Sequence, residues 1–173
     1  MITLPGSQTV ATLAVFTKSN TAFLYGTTSS NFIFVSFNTG QGALQYTPQD
    51  LSDIFIFDSL GVITLRTSQN YGNFLPSTLT KNILPFILQQ RPKLTATSVQ
   101  RGKSQYRIFF NDGYGLYLTI VNQQYLGAGV IYFSNPVKVI DEDIDVTGAE
   151  VTYFGSTDSN GYIYQLDKGT SFD

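Results

Sequence analysis

The stretch that decides the fold is FFNDGYGLYL (residues 109–118), in which two apolar arms flank Asp112 and Gly113. Asp-Gly between apolar arms is among the strongest local signals for a β-hairpin, because glycine adopts a positive φ without steric cost. The arms, residues 107–110 and 116–120, carry the aromatic and β-branched side chains that suit a half-buried pleated surface. The stretch therefore predicts a hairpin.

The same pattern recurs along the chain. It is clear in SDIFIFDSLGVITL (residues 52–65) and EVTYFGSTDSNGYIYQL (150–166), and weaker in TLAVFTKSNTAFLY (12–25). Each copy is an apolar strand ending in phenylalanine, a turn of small polar residues, and a second strand. The phenylalanines that end the first strands lie about 40 to 50 residues apart, which is the period of four-stranded propeller blades; they are Phe16, Phe57, Phe110 and Phe154.

Shorter segments between the hairpins complete the predicted fold. Further strands are predicted at residues 32–37, 43–47, 94–99, 129–133 and 136–140. Residues 77–89 instead have helical spacing, with Ser77 as a candidate cap and Pro85 as a residue that shortens or kinks the helix. The predicted class is all-β, with β-propeller-like blades of antiparallel strands and one short helical insertion.

The 173 residues favour a single domain spanning residues 1–173. After the last hairpin only DKGTSFD (167–173) follows, which leaves that blade without its remaining strands. A closed propeller completes its last blade, often with a strand from the other end of the chain. The simpler expectation is an incomplete propeller that belongs to a longer chain, and the alternative is a small ring closed by the N-terminal strand.

The amino-acid composition excludes several classes of function. Charged residues make up 13% of the chain, about half the usual share, while 14% are aromatic, so the chain is not of a disordered type. The net charge of −2 gives no bulk affinity for nucleic acid or membranes, and no apolar run is long enough to span a bilayer. There is no cysteine and no histidine, which excludes Ser-His-Asp and Cys-His catalysis and sulfur-ligated metals. We therefore expect no enzyme, no cofactor and no metal.

Several segments resemble the β-propeller region of bacteriophage tail proteins, the family of tail nozzle or packaged-DNA stabilisation proteins. They are LAVFTKSNTAFLYG, GALQYTPQDLSDIFIFDSLGVITL, SQNYGNF, QYRIFFNDGYGLYLTIVN and VTYFGSTDSNGYIYQLDKGTSFD, and they follow the family's order over most of residues 12–173. The ending DKGTSFD is the most specific, since it is similar to a phrase that lies inside longer relatives.

The resemblance implies a structural virion protein of the phage tail, present in the host cytoplasm during assembly. It also implies a homo-oligomeric ring, contacts with other tail proteins, and a part in retaining or conducting DNA. The alternative is a carbohydrate-binding propeller, since eleven tyrosines offer stacking surfaces. A carboxylate-based glycoside hydrolase is the third hypothesis.

Three groups of residues are candidate sites. Half of the basic residues fall within seventeen positions, where they predict a contact with DNA phosphates or an acidic partner, or else protection of a sheet edge; they are Arg91, Lys93, Arg101, Lys103 and Arg107. The acidic segment 141–145 lacks the glycine and glutamate of a calcium loop, so it predicts an acidic surface turn. Cross-strand packing is the expected role of four hairpin tyrosines, namely Tyr114, Tyr117, Tyr162 and Tyr164.

Overall fold

The computed structural model describes residues 1–3, 12–40, 42–51, 53–65, 78–122, 124–157 and 161–168. The chain divides into two compact units, residues 1–89 and 90–173. Strands arranged in four antiparallel sheets dominate both units, which confirms the all-β class. The single domain over residues 1–173 stays a prediction. Within the described residues, no helix has the length and hydropathy that a membrane crossing requires.

The first unit contains two antiparallel sheets with strand orders β1-β2-β3-β4 and β5-β6-β7. Neighbours in each sheet are consecutive in the chain, so each sheet is a simple meander. The strands are β1 (Ile2–Thr3), β2 (Thr12–Phe16), β3 (Asn20–Tyr25), β4 (Ile33–Thr39), β5 (Gln49–Asp50), β6 (Ile54–Phe57) and β7 (Val62–Thr64).

The core of the first unit lies on β6 and β7, whose residues are all buried. Ile54, Ile56 and Ile63 pack with Ala14 and Phe23 from the other sheet. The turn between β6 and β7 is held by Asp58, whose Oδ1 accepts hydrogen bonds from the backbone N–H groups of Leu60 at 2.7 Å and Gly61 at 2.9 Å. Such a side-chain-to-backbone turn explains why this hairpin could be recognised locally.

The predicted helical insertion is present, and it is short. A 3₁₀ turn (Lys81–Ile83) leads into α1 (Leu84–Gln90), and a second 3₁₀ turn (Arg91–Lys93) follows. Pro85 lies in the first turn of α1, where its missing N–H would have no helical partner anyway, so it starts the helix and does not break it. The proposed cap Ser77 lies outside the described residues.

The second unit contains two further meanders, with strand orders β11-β10-β9-β8 and β12-β13-β14. Its core includes Phe109, Tyr117, Val137, Phe154 and Leu166. The strands are β8 (Leu94–Gln100), β9 (Gln105–Phe110), β10 (Tyr114–Val121), β11 (Gln124–Tyr132), β12 (Val137–Ile144), β13 (Glu150–Ser156) and β14 (Ile163–Leu166).

The opening stretch forms the hairpin of β9 and β10. Phe109 is paired with Gly115, and the backbone N–H of Gly113 donates to the carbonyl of Phe110 at 3.2 Å. The turn has three residues, 111–113, and Gly113 adopts a φ of 90°. A three-residue loop with glycine at its left-handed position is a common hairpin connection.

The other three hairpins are also confirmed, as β2–β3, β6–β7 and β13–β14. Residues 32–37 and 94–99 lie largely in β4 and β8, as predicted, while β11 and β12 are longer than the strands predicted there. The prediction of a strand at residues 43–47 was wrong. Thr47 donates through its hydroxyl to the carbonyl of Leu44 at 2.8 Å, and Tyr46 adopts a φ of 63°, so this segment turns.

Candidate functional site

The structure does not bring the five basic residues to one place. Arg91 and Lys93 lie in the turn before β8, whereas Arg101 and Lys103 lie in the 3₁₀ turn that follows it. A seven-residue strand spans roughly 20 Å, so the two pairs sit at opposite ends of β8. Arg107 lies within β9, where its side chain is 1% exposed. The five basic residues are therefore placed as one pair at each end of β8 and one buried arginine, and of these Lys103 and Arg107 meet at Asp167.

At the start of β8, Lys93 is paired with the turn of the opening hairpin. Its Nζ donates to Asp112 Oδ2 at 2.7 Å, and both side chains are about one-third exposed. Burial opposes ionisation of Asp112, but hydrogen bonds from Lys93 and Gln90 outweigh it, so the pKa of this carboxyl lies below its ordinary value. The pair fixes the hairpin to the preceding turn.

At the other end of β8, a carboxylate from β13 holds the turn that carries Arg101 and Lys103. Glu150 accepts hydrogen bonds from the backbone N–H groups of Arg101 and Gly102, both at 2.8 Å. Burial opposes ionisation of Glu150, and these two backbone donors outweigh it, so its pKa is lowered. The exposed basic turn is thus held in a defined position.

Arg107 is the centre of a buried polar cluster. Its guanidinium donates to Gln105 Oε1 at 2.8 Å and to Asp167 Oδ2 at 2.7 Å, and lies 4.4 Å from the centroid of the Tyr117 ring. Lys103 Nζ approaches the same Asp167 oxygen at 2.9 Å. Among the described residues, Nη1 of Arg107 and the hydroxyl of Tyr117 have no hydrogen-bond partner. Arg107 therefore joins β9 to the segment after β14 and is not available to a partner surface.

The acidic segment is not the expected turn. Residues 141–144 lie in β12, and only Asp145 begins a turn, where its Oδ1 accepts hydrogen bonds from the N–H groups of Thr147 and Ala149. An outer strand tolerates carboxylates because alternate side chains reach water. Within the described part of the chain, no three acidic side chains are arranged to hold a metal ion.

Glu142 points to the covered side of β12 and is the least solvated of these acids. Burial raises the pKa of its carboxyl and outweighs the opposing hydrogen bonds from Ser98 and the backbone of Val99, while the neighbouring Glu150 adds to the rise. Thr152 lies directly opposite on β13, and neither its hydroxyl nor Glu142 Oε1 has a hydrogen-bond partner among the described residues. Ionised Glu142 is consequently a local source of instability.

The hairpin tyrosines mostly pack across strands, as predicted. Tyr114 contacts its register partner Tyr132 with ring centroids 5.4 Å apart, and Tyr164 stacks on its partner Phe154 at 5.1 Å. Tyr117 is buried against Arg107. Tyr162 lies just before β14 and is 63% exposed, with its ring near that of Tyr164.

Two outer strands carry no charged residue and are largely exposed, although Ile131 of β11 packs against the core of its unit. β4 (IFVSFNT) is the last strand of its sheet, with Ile33 62% and Phe34 64% exposed. β11 (QYLGAGVIY) is the outer strand of the second four-stranded sheet, with Leu126 64% and Tyr132 65% exposed. We call these two strands the uncharged edges. No described strand pairs with the outer side of either one.

The remaining outer strands are short, covered or charged. β1 and β5 have two residues each, β14 has four, and Thr78 bridges to Ile63 beside β7. β8 faces β12, where the Thr95 hydroxyl lies 2.6 Å from the carbonyl of Val137, and β12 itself carries three acids. Natural sheets protect their edges in these ways, and within the described residues the uncharged edges show none of them.

Sequence reasoning identified the strand within β4 but not its exposure. Consecutive apolar residues such as FIFVSF (residues 32–37) are typical of a strand buried on both faces. The signal that could have revealed an exposed edge is the combination of that run with an outer position in the meander. Comparison of the chain with protein-family models, with curated proteins and with solved structures finds no match.

Proposed function

We propose that this chain is a structural module of a bacteriophage tail, a virion protein that assembles with its own copies and with other tail proteins. The observation that carries the proposal is the pair of uncharged edges, β4 and β11, both largely exposed and both at the outer side of a sheet. A long apolar strand with unpaired backbone groups is a template for pairing with another chain. A protein that works as a solitary monomer would normally protect such strands.

The phage-tail assignment rests on the resemblance of the segments quoted above, and the architecture supports it in part. Each of the four described sheets is a meander of consecutive antiparallel strands; two of them have the four strands of a propeller blade and the other two have three. We propose that the sheets are blades of a propeller, and that copies of the chain form a ring. In that ring the function lies in the assembled surface and not in a catalytic centre.

Contact with DNA is the second element of the proposal. Four of the five basic residues stay surface candidates for phosphate groups or acidic neighbours, namely Arg91, Lys93, Arg101 and Lys103. Lys103 is half exposed although it is paired with Asp167. Such a contact is non-specific and salt-dependent, because it depends on the displacement of counterions from phosphate.

The proposal is tested on virions of the phage that encodes the chain. Mass spectrometry of purified particles should detect the chain, and immunogold labelling with an antibody against it should mark the tail. Absence of the chain from particles would contradict the proposal. Selective binding of the purified chain to glycans, with no label on tails, would favour the carbohydrate-binding alternative.

A further inference from the structure

We propose that β4 of one copy pairs with β11 of the next copy, so that a sheet of one molecule continues into a sheet of its neighbour. The inference rests on the proposed assembly function and specifies its interface. The two edges belong to different compact units of the chain, so the contact joins two different surfaces. Interfaces of that kind generate rings or filaments, whereas a surface that pairs with itself ends at a dimer.

The two edges match in length and in charge. β4 has seven residues and β11 has nine, and neither contains a charged residue or a proline. Every described sheet is antiparallel, which is also the pairing with the better hydrogen-bond geometry. An acidic or basic partner strand would bury its charges against either edge without a countercharge, so a second uncharged edge is the partner that fits.

The side chains are complementary in size on one face. Gly127 and Gly129 leave open space, since apart from their chain neighbours no described atom lies within 4 Å of where a Cβ would stand. Antiparallel pairing can place Phe37 opposite Gly127 and Val35 opposite Gly129. A large side chain that covers an edge glycine in the facing strand shields its backbone from water and stabilises the pair.

The same register also serves the other face. It places Phe34 opposite Val130, two exposed apolar side chains that bury each other, and Ser36 opposite Ala128, two small residues. Pairing of β11 with another β11 would instead leave glycines facing small residues near its centre, with little side-chain contact. The size pattern therefore favours the pairing of β4 with β11 over the pairing of β11 with itself.

Lysine substitutions in each edge distinguish pairing of β4 with β11 from pairing of one edge with itself. Phe34→Lys blocks β4 and Val130→Lys blocks β11, and both native side chains are at least half exposed, so the fold should tolerate the change. Val146→Lys is the matched control, because Val146 is fully exposed in the turn after β12. Circular dichroism and thermal unfolding establish that each variant is folded.

Light scattering and sedimentation then measure the assembly. The wild-type chain and Val146→Lys should form species larger than a dimer, and each edge variant should weaken association roughly tenfold or more. An equimolar mixture of Phe34→Lys and Val130→Lys should form one-to-one dimers, since the pair retains one intact β4 and one intact β11. A mixture that stays monomeric, or edge variants that assemble like the wild type, would overturn the inference.

Disulfide mapping tests the register, because the chain has no cysteine of its own. Directly opposite residues have Cβ atoms about 4.5–5.5 Å apart, so Ser36→Cys mixed with Ala128→Cys should cross-link under mild oxidation. Ser36→Cys mixed with Gln124→Cys, four residues away along β11, should not. Efficient linkage of Ser36→Cys to itself would show self-pairing of β4 instead. Any of these failures leaves the virion test of the proposed function untouched.

Discussion

The carboxylate of Asp167 lies 2.7 Å from the guanidinium of Arg107, although sixty residues separate them in the chain. The arginine belongs to the middle of β9, and the aspartate follows the end of β14. The contact therefore fixes the end of the last described strand to the larger sheet of the second unit. Asp167 has a φ of 58°, so its backbone turns sharply at the contact.

Removal of the Asp167 charge should destabilise the protein by about 2 kcal/mol, because a buried arginine that loses its anion keeps its desolvation cost. Asp167→Asn is the sharpest variant, since asparagine tolerates the same left-handed backbone and has the same size. Chemical denaturation of the full chain at neutral pH measures the change.

Lys103→Ala is the matched control for that measurement. It removes the second cation at the same carboxylate oxygen, but its side chain is 51% exposed, so we expect a loss below about 1 kcal/mol. Equal losses of unfolding free energy for Asp167→Asn and Lys103→Ala would show that the burial of Arg107 does not make this contact more stabilising than an exposed ion pair.

The same contact predicts how stability depends on acid. The folded-state pKa of Asp167 is lowered, because the donors Lys103 and Arg107 outweigh the effect of burial. Its stabilisation is therefore present above the unfolded-state pKa of about 3.9 and is lost as the pH falls through the lower, folded-state pKa. The free-energy difference between wild type and Asp167→Asn should be constant near neutrality and shrink below about pH 4. A difference that does not change on acidification would contradict this assignment.

Glu142 predicts the opposite dependence. Burial raises its folded-state pKa, so its favourable contribution is complete below the unfolded value of about 4.3 and is lost as the pH rises through the raised, folded-state pKa. Glu142→Gln should therefore become more stable relative to the wild type as the pH rises from 4 to 7, as measured by denaturation at each pH.

Asp143→Asn is the control for the Glu142 prediction, because it removes one negative charge from the same strand at an exposed position. A rise in relative stability that is equal for both variants would indicate general charge repulsion along β12. A rise confined to Glu142→Gln would locate the effect in the covered carboxyl.

The hairpins could be predicted because their turns are encoded locally. Asp58 supplies the hydrogen bonds of its own turn, and Gly113 supplies the positive φ of the opening hairpin.

The segment 43–47 was misassigned because its turn overrides its strand propensity. Its composition suits a strand, but the backbone of Thr47 and Tyr46 turns, and such competition between propensity and turn geometry is hard to read from composition.

The site residues were less predictable because their partners are distant in the chain. A run of basic residues near β8 gives no indication that Arg107 points into the core while Arg101 lies in an exposed turn. The partner of Arg107 is Asp167, in the segment DKGTSFD, and nothing in that segment by itself indicates a contact with a residue sixty positions earlier. The exposure of β4 likewise depends on its outer position in the sheet, and the local sequence of a strand does not indicate its position in a sheet.

Gly61 provides a final prediction that tests the packing of the first unit. It has a φ of 139°, and an added Cβ would stand 2.3 Å from the hydroxyl oxygen of Thr80. Gly61→Ala should therefore cost about 2–4 kcal/mol of unfolding free energy, from backbone strain together with the clash. Gly148→Ala is the matched control: it also has a positive φ, of 83°, but no described atom beyond its chain neighbours lies within 4 Å, so only strain of about 1 kcal/mol is expected. Equal costs in chemical denaturation would mean that backbone conformation alone, and not the close approach of Thr80 to the β6–β7 turn, requires glycine at position 61.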